Sequence, residues 1–213
     1  MKTIAFYIFS LSLMVSSITT LNGAEIPDLS PFERDIIKET NLARTSPKIY
    51  ATKLAKLKKT FQGNLMAIPG KESVLVTTEG ITAVEEAIEF LNAIQPLLPL
   101  RPVKGLSLAA RDHVDDQGTT MEIGHTGSDH SQVADRANRY GEWRTIVGEN
   151  ISYGPDSGEN VVMQLIINDG IPNRSHRQNI FNQAYRVTGV ACGKHKRYKN
   201  MCVITYADSF IDK

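Results

Sequence analysis

Two stretches near the C-terminus decide how this chain folds: Tyr185-Arg186-Val187-Thr188-Gly189-Val190-Ala191 and Met201-Cys202-Val203-Ile204-Thr205-Tyr206-Ala207. Both are rich in β-branched and aromatic residues and read as strands. Val187, Val190, Ala191, Val203 and Ile204 keep no clean in/out alternation, and strands that are apolar on both faces need cover on both. An antiparallel hairpin held between helices satisfies that need. The expectation is an α+β fold, a three-layer α-β-α sandwich with a central, mainly antiparallel sheet. The segment between the strands, with Lys194, Lys196, Arg197 and Lys199, reads as a solvated hairpin tip.

Cys192 and Cys202, the two cysteines of the chain, flank that tip. If the runs pair as a hairpin, the sulfurs face each other across it. A bridge closing so short a loop contributes roughly 2–3 kcal/mol on the chain-entropy model. The other reading is two free buried thiols.

The layers on either side come from helical patterns. Ser30 reads as an N-cap, Pro31 as the first turn and Glu33 as the capping-box partner of a helix from Pro31 to Arg44. Ser46-Pro47 restarts a helix through Tyr50, Leu54 and Leu57, whose lysines form a solvated face. Gln62 to Thr77 is loop-like, with Val74-Leu75-Val76 as a short strand. Ile81, Val84, Ile88, Leu91 and Ile94 recur at helical spacing until Pro96. Leu106 to Asp116 is helical and carries His113, read as a packed structural histidine. A short helix over Gln132 to Arg139 stops at Gly141, and His130 before it reads as exposed turn. Trp143 to Ile151 reads as a strand, and Glu159 to Ile167 as a helix.

The chain has 213 residues, 41% hydrophobic and 22% charged, with a formal net charge of +1. That balance is of a globular domain and gives no general reason to expect nucleic acid as a partner. Lys2, the apolar run from Ile4 to Ile18 and the small residues at Asn22-Gly23-Ala24 have the form of a signal peptide over residues 1–24. One domain over residues 25–213 follows, exported to the extracellular space or periplasm, with no transmembrane segment in the mature chain.

The chemistry-bearing residues cluster between Gly124 and Ile180. His125, Glu149 and His176 lie beside glycine or small polar residues and at no helical spacing, so only tertiary structure brings them together. They suit a divalent metal such as zinc, as two nitrogen ligands and a carboxylate. They equally suit an acid/base pair with a carboxylate orienting one imidazole. As purely structural groups, Glu149 bonds loop amides, and His176-Arg177 is a helix start with Ser175 as cap and Arg177 in solvent. Asn150 and Asn179 read as hydrogen-bonding braces. No serine elbow, phosphate loop or dinucleotide fingerprint is present.

Gly124-His125-Thr126, Gly148-Glu149-Asn150-Ile151 and His176-Arg177-Gln178-Asn179-Ile180, in that order, resemble the CAP superfamily of cysteine-rich secretory, antigen 5 and pathogenesis-related proteins. Asn41-Leu42-Ala43-Arg44 looks like its opening helix, and the two cysteine-bearing runs look like its terminal hairpin. The resemblance covers roughly Pro31 to Ala207 and is to the short, cysteine-poor variants of bacteria and protists. It implies an SCP-domain α-β-α sandwich whose cavity holds two histidines and two acidic residues, with zinc or another divalent ion in some members. His125, Glu149 and His176 match three of the four. On the preceding helix, which carries Leu165, Asn168 and Asp169, Asp169 stands in for the fourth. Two functions are implied: a binding or interaction module for a protein, lipid or small molecule, and a metal-dependent, peptidase-like hydrolase with Glu149 as base.

Overall fold

The computed structural model describes residues 28–67 and 74–213; the leader read over residues 1–24 lies outside them. Helix α1 (Pro31–Thr45) begins at the expected capping box, an arrangement that contributes ~1 kcal/mol. Glu33 does more than cap. Its second oxygen accepts the Cys192 amide at 2.8 Å and an Arg111 guanidinium N–H, tying the helix start to the sheet. Helix α2 (Pro47–Lys58) starts on proline alone, without a side-chain bond from Ser46. Its lysines are partly paired, Lys53 with Glu39 and Glu159, Lys58 with Glu85.

A small antiparallel sheet follows, β1 (Phe61–Gln62), β2 (Leu65–Ala67) and β3 (Val74–Val76). The strand expected at Val74 to Val76 is present; its two partners are too short to leave a pattern. Next come α3 (Ile81–Ala93), β4 (Arg101–Pro102), α4 (Lys104–Gly118), α5 (Val133–Tyr140), β5 (Gly141–Glu142) and β6 (Val147–Tyr153). The strand expected from Trp143 begins at Val147 instead. Asp208 accepts the Thr145 and Ile146 amides at 3.2 and 3.3 Å and bends the chain just before it. The chain ends through α6 (Gly158–Ile167), α7 (Ser175–Ile180), β7 (Val187–His195), β8 (Lys199–Ala207) and β9 (Ile211–Asp212).

The central sheet has the order β4-β7-β8-β6, parallel between β4 and β7 and antiparallel elsewhere. Val190, Cys202, Ile204 and Tyr206 face a core built with α1, α2, α3 and α6. The residues of the alternate face, Val187, Ala191, Met201, Val203 and Ala207, pack on the other side with residues of α4 and α5. Both faces are covered, and the fold is the α-β-α sandwich. Helix α4 lies directly on β7: a Cβ on Gly189 would come within 2.1 Å of the Leu106 and Ser107 backbone.

The hairpin is longer than its apolar runs, paired from Val187↔Ala207 to His195↔Lys199. Cys192 and Cys202 are opposed in register and joined in a disulfide, with Cα atoms 4.1 Å apart. The tip is not wholly solvated. His195 is buried, with Nε2 bonded to the Glu122 carbonyl and Nδ1 accepting the Arg197 and Tyr198 amides.

Candidate functional site

Strand β6 ends the sheet order, so one of its edges has no strand partner among the described residues. Glu149 and Asn150 are consecutive on it and project to opposite faces. Just before them, Gly148 has the Tyr185 hydroxyl 2.1 Å from where a Cβ would sit. A side chain there would displace Tyr185.

On the α5 side, the buried Glu149 carboxylate has both oxygens engaged. Oε1 lies 2.8 Å from His125 Nδ1, and Oε2 accepts Arg136 Nη2 at 2.8 Å. Arg136 is itself buried and also donates to the carbonyls of His125 and Ser131. Burial alone would raise the Glu149 carboxyl; the His125 bond and the Arg136 charge outweigh it and hold the pKa below the usual range. The carboxylate therefore accepts from both partners, and the hydrogen on His125 lies on Nδ1. The His125 side chain remains 48% exposed, against 1% for Glu149.

The loop carrying His125 is fixed at Gly124, which adopts φ +114°. Its carbonyl accepts from His113 Nε2 at 2.8 Å and Gln117 Nε2 at 3.1 Å, and its amide donates to the Tyr153 hydroxyl. His113 is thus the packed structural histidine expected. His130 is exposed in the turn that follows.

On the opposite face, Asn150 Nδ2 donates to the His176 carbonyl at 2.9 Å and to the Tyr206 hydroxyl. Asn179 Nδ2 donates to the Glu149 carbonyl at 3.1 Å and to Asn150 Oδ1 at 2.9 Å. The two asparagines brace α7 against β6. The His176 pKa is lowered, first by burial and then by the positive charge of His125.

The Asp169 expectation and two points of the purely structural reading need correction. Asp169 is not in the site: its oxygens accept the Thr78 and Glu79 amides at 2.7 Å each. Asn168 closes α6 in the left-handed conformation, φ 54°, and the reversal sends consecutive side chains apart. Asn168 instead faces His176. Ser175 is not the cap of α7; Arg174 holds that position, also left-handed, with no side-chain cap bond. Nor is Arg177 in solvent. It is buried, paired through both terminal nitrogens with Glu86 at 2.7 Å and bonded to the Ile166 carbonyl.

A metal fits these residues poorly. Glu149 has no oxygen free of a strong donor, and Asp169 lies elsewhere. Among the described residues, no group of three or more His, Cys, Asp or Glu side chains is placed to hold an ion. Two residues that matter, Arg136 and Asn168, have no role in the sequence reading. Val133, Arg136, Ala137 and Tyr140 recur at helical spacing, which puts Arg136 on the inward face. Asn before Asp169-Gly170 is a left-handed helix end.

The sequence pattern of the cysteine-rich secretory protein family, CAP, matches residues 89–206, over half of the chain. The chain belongs to that family. Among solved structures, it is similar to an extracellular SCP-domain protein from Bacillus anthracis str. Ames, at 17% identity and a TM-score of 0.42. That match covers 60% of this chain and 37% of the other, so the chain spans well under half of that protein's length. An outer surface protein from Borrelia burgdorferi is similar at 20% identity and a TM-score of 0.44, over 60% of this chain and 89% of the other. Curated protein sequences give no match.

Proposed function

We propose that this chain is an exported CAP-domain binding module, with its ligand site at the edge of β6, beside α7. The observation that carries the reading is His125: a half-exposed imidazole aimed by a carboxylate that is itself locked by a buried arginine. Such preorganisation is what a recognition site needs and a merely solvated histidine does not. The signal-peptide pattern and the disulfide support export, since bridges persist in oxidising compartments. No helix among the described residues is long and apolar enough to cross a membrane. The partner class is a protein, lipid or small molecule.

The hydrolase reading draws on the same contact, because an oriented imidazole is also a general base. Against it, the Glu149 carboxylate is buried and each of its oxygens is already engaged, one by His125 and one by Arg136, so it is not free to act as the base toward water. Both cysteines are bridged.

The test follows the His125 and His176 ring resonances by NMR while small amides and alcohols are added, alongside a casein hydrolysis assay. Binding predicts that the rings respond and casein stays intact. Rings that ignore every compound, or hydrolysis lost in His125→Ala, would contradict it.

A further inference from the structure

We infer that His125 and His176 are held as opposite tautomers, so that the site presents one imidazole acceptor and one imidazole donor. Such a pair selects a neutral group carrying both functions, a hydroxyl or an amide, over a divalent cation. Asn168 is the residue that sets this preference. The inference rests on reading the β6 edge as the binding site and adds what that site takes.

Donor and acceptor chemistry assigns a tautomer to each ring. His125 Nδ1 faces an ionised carboxylate, so Nδ1 bears the hydrogen and Nε2 keeps its lone pair. His176 is the reverse case. Its backbone N–H donates to Asn168 Oδ1 at 2.9 Å, and a backbone N–H can only donate. That bond fixes which end of the amide is oxygen, and leaves the Asn168 NH2 pointing at His176 Nδ1, also at 2.9 Å. An NH2 group can only donate, so Nδ1 accepts and the hydrogen of neutral His176 is on Nε2.

A metal bound at Nε2 needs a lone pair there, with the ring hydrogen moved to Nδ1. In His176 that move would set an N–H against the Asn168 NH2. Turning the amide to relieve it would set the same NH2 against the backbone N–H. Neither arrangement keeps both hydrogen bonds. An acidic residue in place of Asn168 has two acceptor oxygens and no such conflict. Asn168 therefore turns a position suited to metal ligation into a hydrogen-bond donor. His125 Nε2 on one side and His176 Nε2–H on the other match a hydroxyl or amide, each of which donates and accepts.

The experiment is long-range 15N–1H NMR of the imidazoles in the purified protein near pH 7.5, with and without zinc chloride. The wild type should show His125 as the Nδ1–H form and His176 as the Nε2–H form. His113 and His195 serve as internal references, since their Nε2 atoms face the carbonyls of Gly124 and Glu122. Asn168→Asp should move the His176 hydrogen to Nδ1 and raise zinc affinity at the two rings by ~10–100-fold, the usual scale for a change behind a metal ligand. Asn168→Gly, which keeps the left-handed backbone accessible, should leave His176 a mixture of tautomers. An Nδ1–H form of His176 in the wild type, or zinc binding at both rings as tight as in Asn168→Asp, would overturn the inference. So would a His176 that stays wholly Nε2–H in Asn168→Gly. Tautomers as stated, with rings that ignore amides and alcohols, would overturn the ligand assignment through failure of the binding-site reading itself.

Discussion

His125 and Glu149, 24 residues apart in the chain, meet at 2.8 Å through Nδ1 and Oε1. The contact depends on Arg136, which occupies the other carboxylate oxygen from within the core. Glu149→Gln leaves the shape and removes the charge. Breaking one half of a buried ion pair strands the other half, at about 3–5 kcal/mol. Urea unfolding should show the midpoint falling accordingly, with a freer His125 ring. A loss under 1 kcal/mol would mean that solvent reaches Arg136.

Acid should weaken the fold in two stages. Burial lowers the pKa of His113 and of His176 from the ordinary 6.5. The unfolded chain therefore takes up these protons first, and stability falls as pH drops below about 6.5, until the folded values are passed. Glu149 has the opposite dependence on charge but the same direction with pH. Its folded value lies below the ordinary 4.5, so its contribution is complete above that pH and is lost as pH falls through the folded value. Unfolding midpoints should be flat above about pH 7 and decline from there in two steps. His113→Gln should shrink the first step, and an unchanged first step would contradict its assignment.

Gly148→Ala should destabilise by about 1–3 kcal/mol through overpacking. The new methyl meets the Tyr185 hydroxyl, and that ring is stacked on Tyr206 at 5.3 Å, so it has little room to swing. Tyr185→Phe in the same chain should restore part of the loss. No recovery would place the strain in the backbone.

Cys192 and Cys202 should give no free thiol on titration of denatured, unreduced protein. Replacing both with serine should lower stability by roughly 2–3 kcal/mol. Two titratable thiols would show that the opposed pair stays reduced.

The layers were legible because the hairpin residues state their own burial: Val190 and Ala191, or Val203 and Ile204, are adjacent, apolar and buried on opposite faces. Helix limits were legible where Ser30 and Glu33 cap one end or Gly141 stops another. The start of β6 was not, because Asp208, distant in sequence, bends the chain at Thr145 and Ile146. Within the site, His125, Glu149 and His176 stood out as polar groups beside glycine or serine. Asp169 did so for the wrong reason: acidity marks a candidate ligand, but its direction was decided by the left-handed turn at Asn168. Residue type reveals which groups can do chemistry, whereas their aim comes from backbone reversals and distant partners.

The central claim is that His125 and His176, both beside the edge strand β6, form a single site. NMR titration of the His176 ring in the wild type and in His125→Ala tests it most directly. A shared site predicts a His176 pKa below 6.5 that rises when the like charge of His125 is removed. A His176 titration curve that is the same in both proteins would contradict the account.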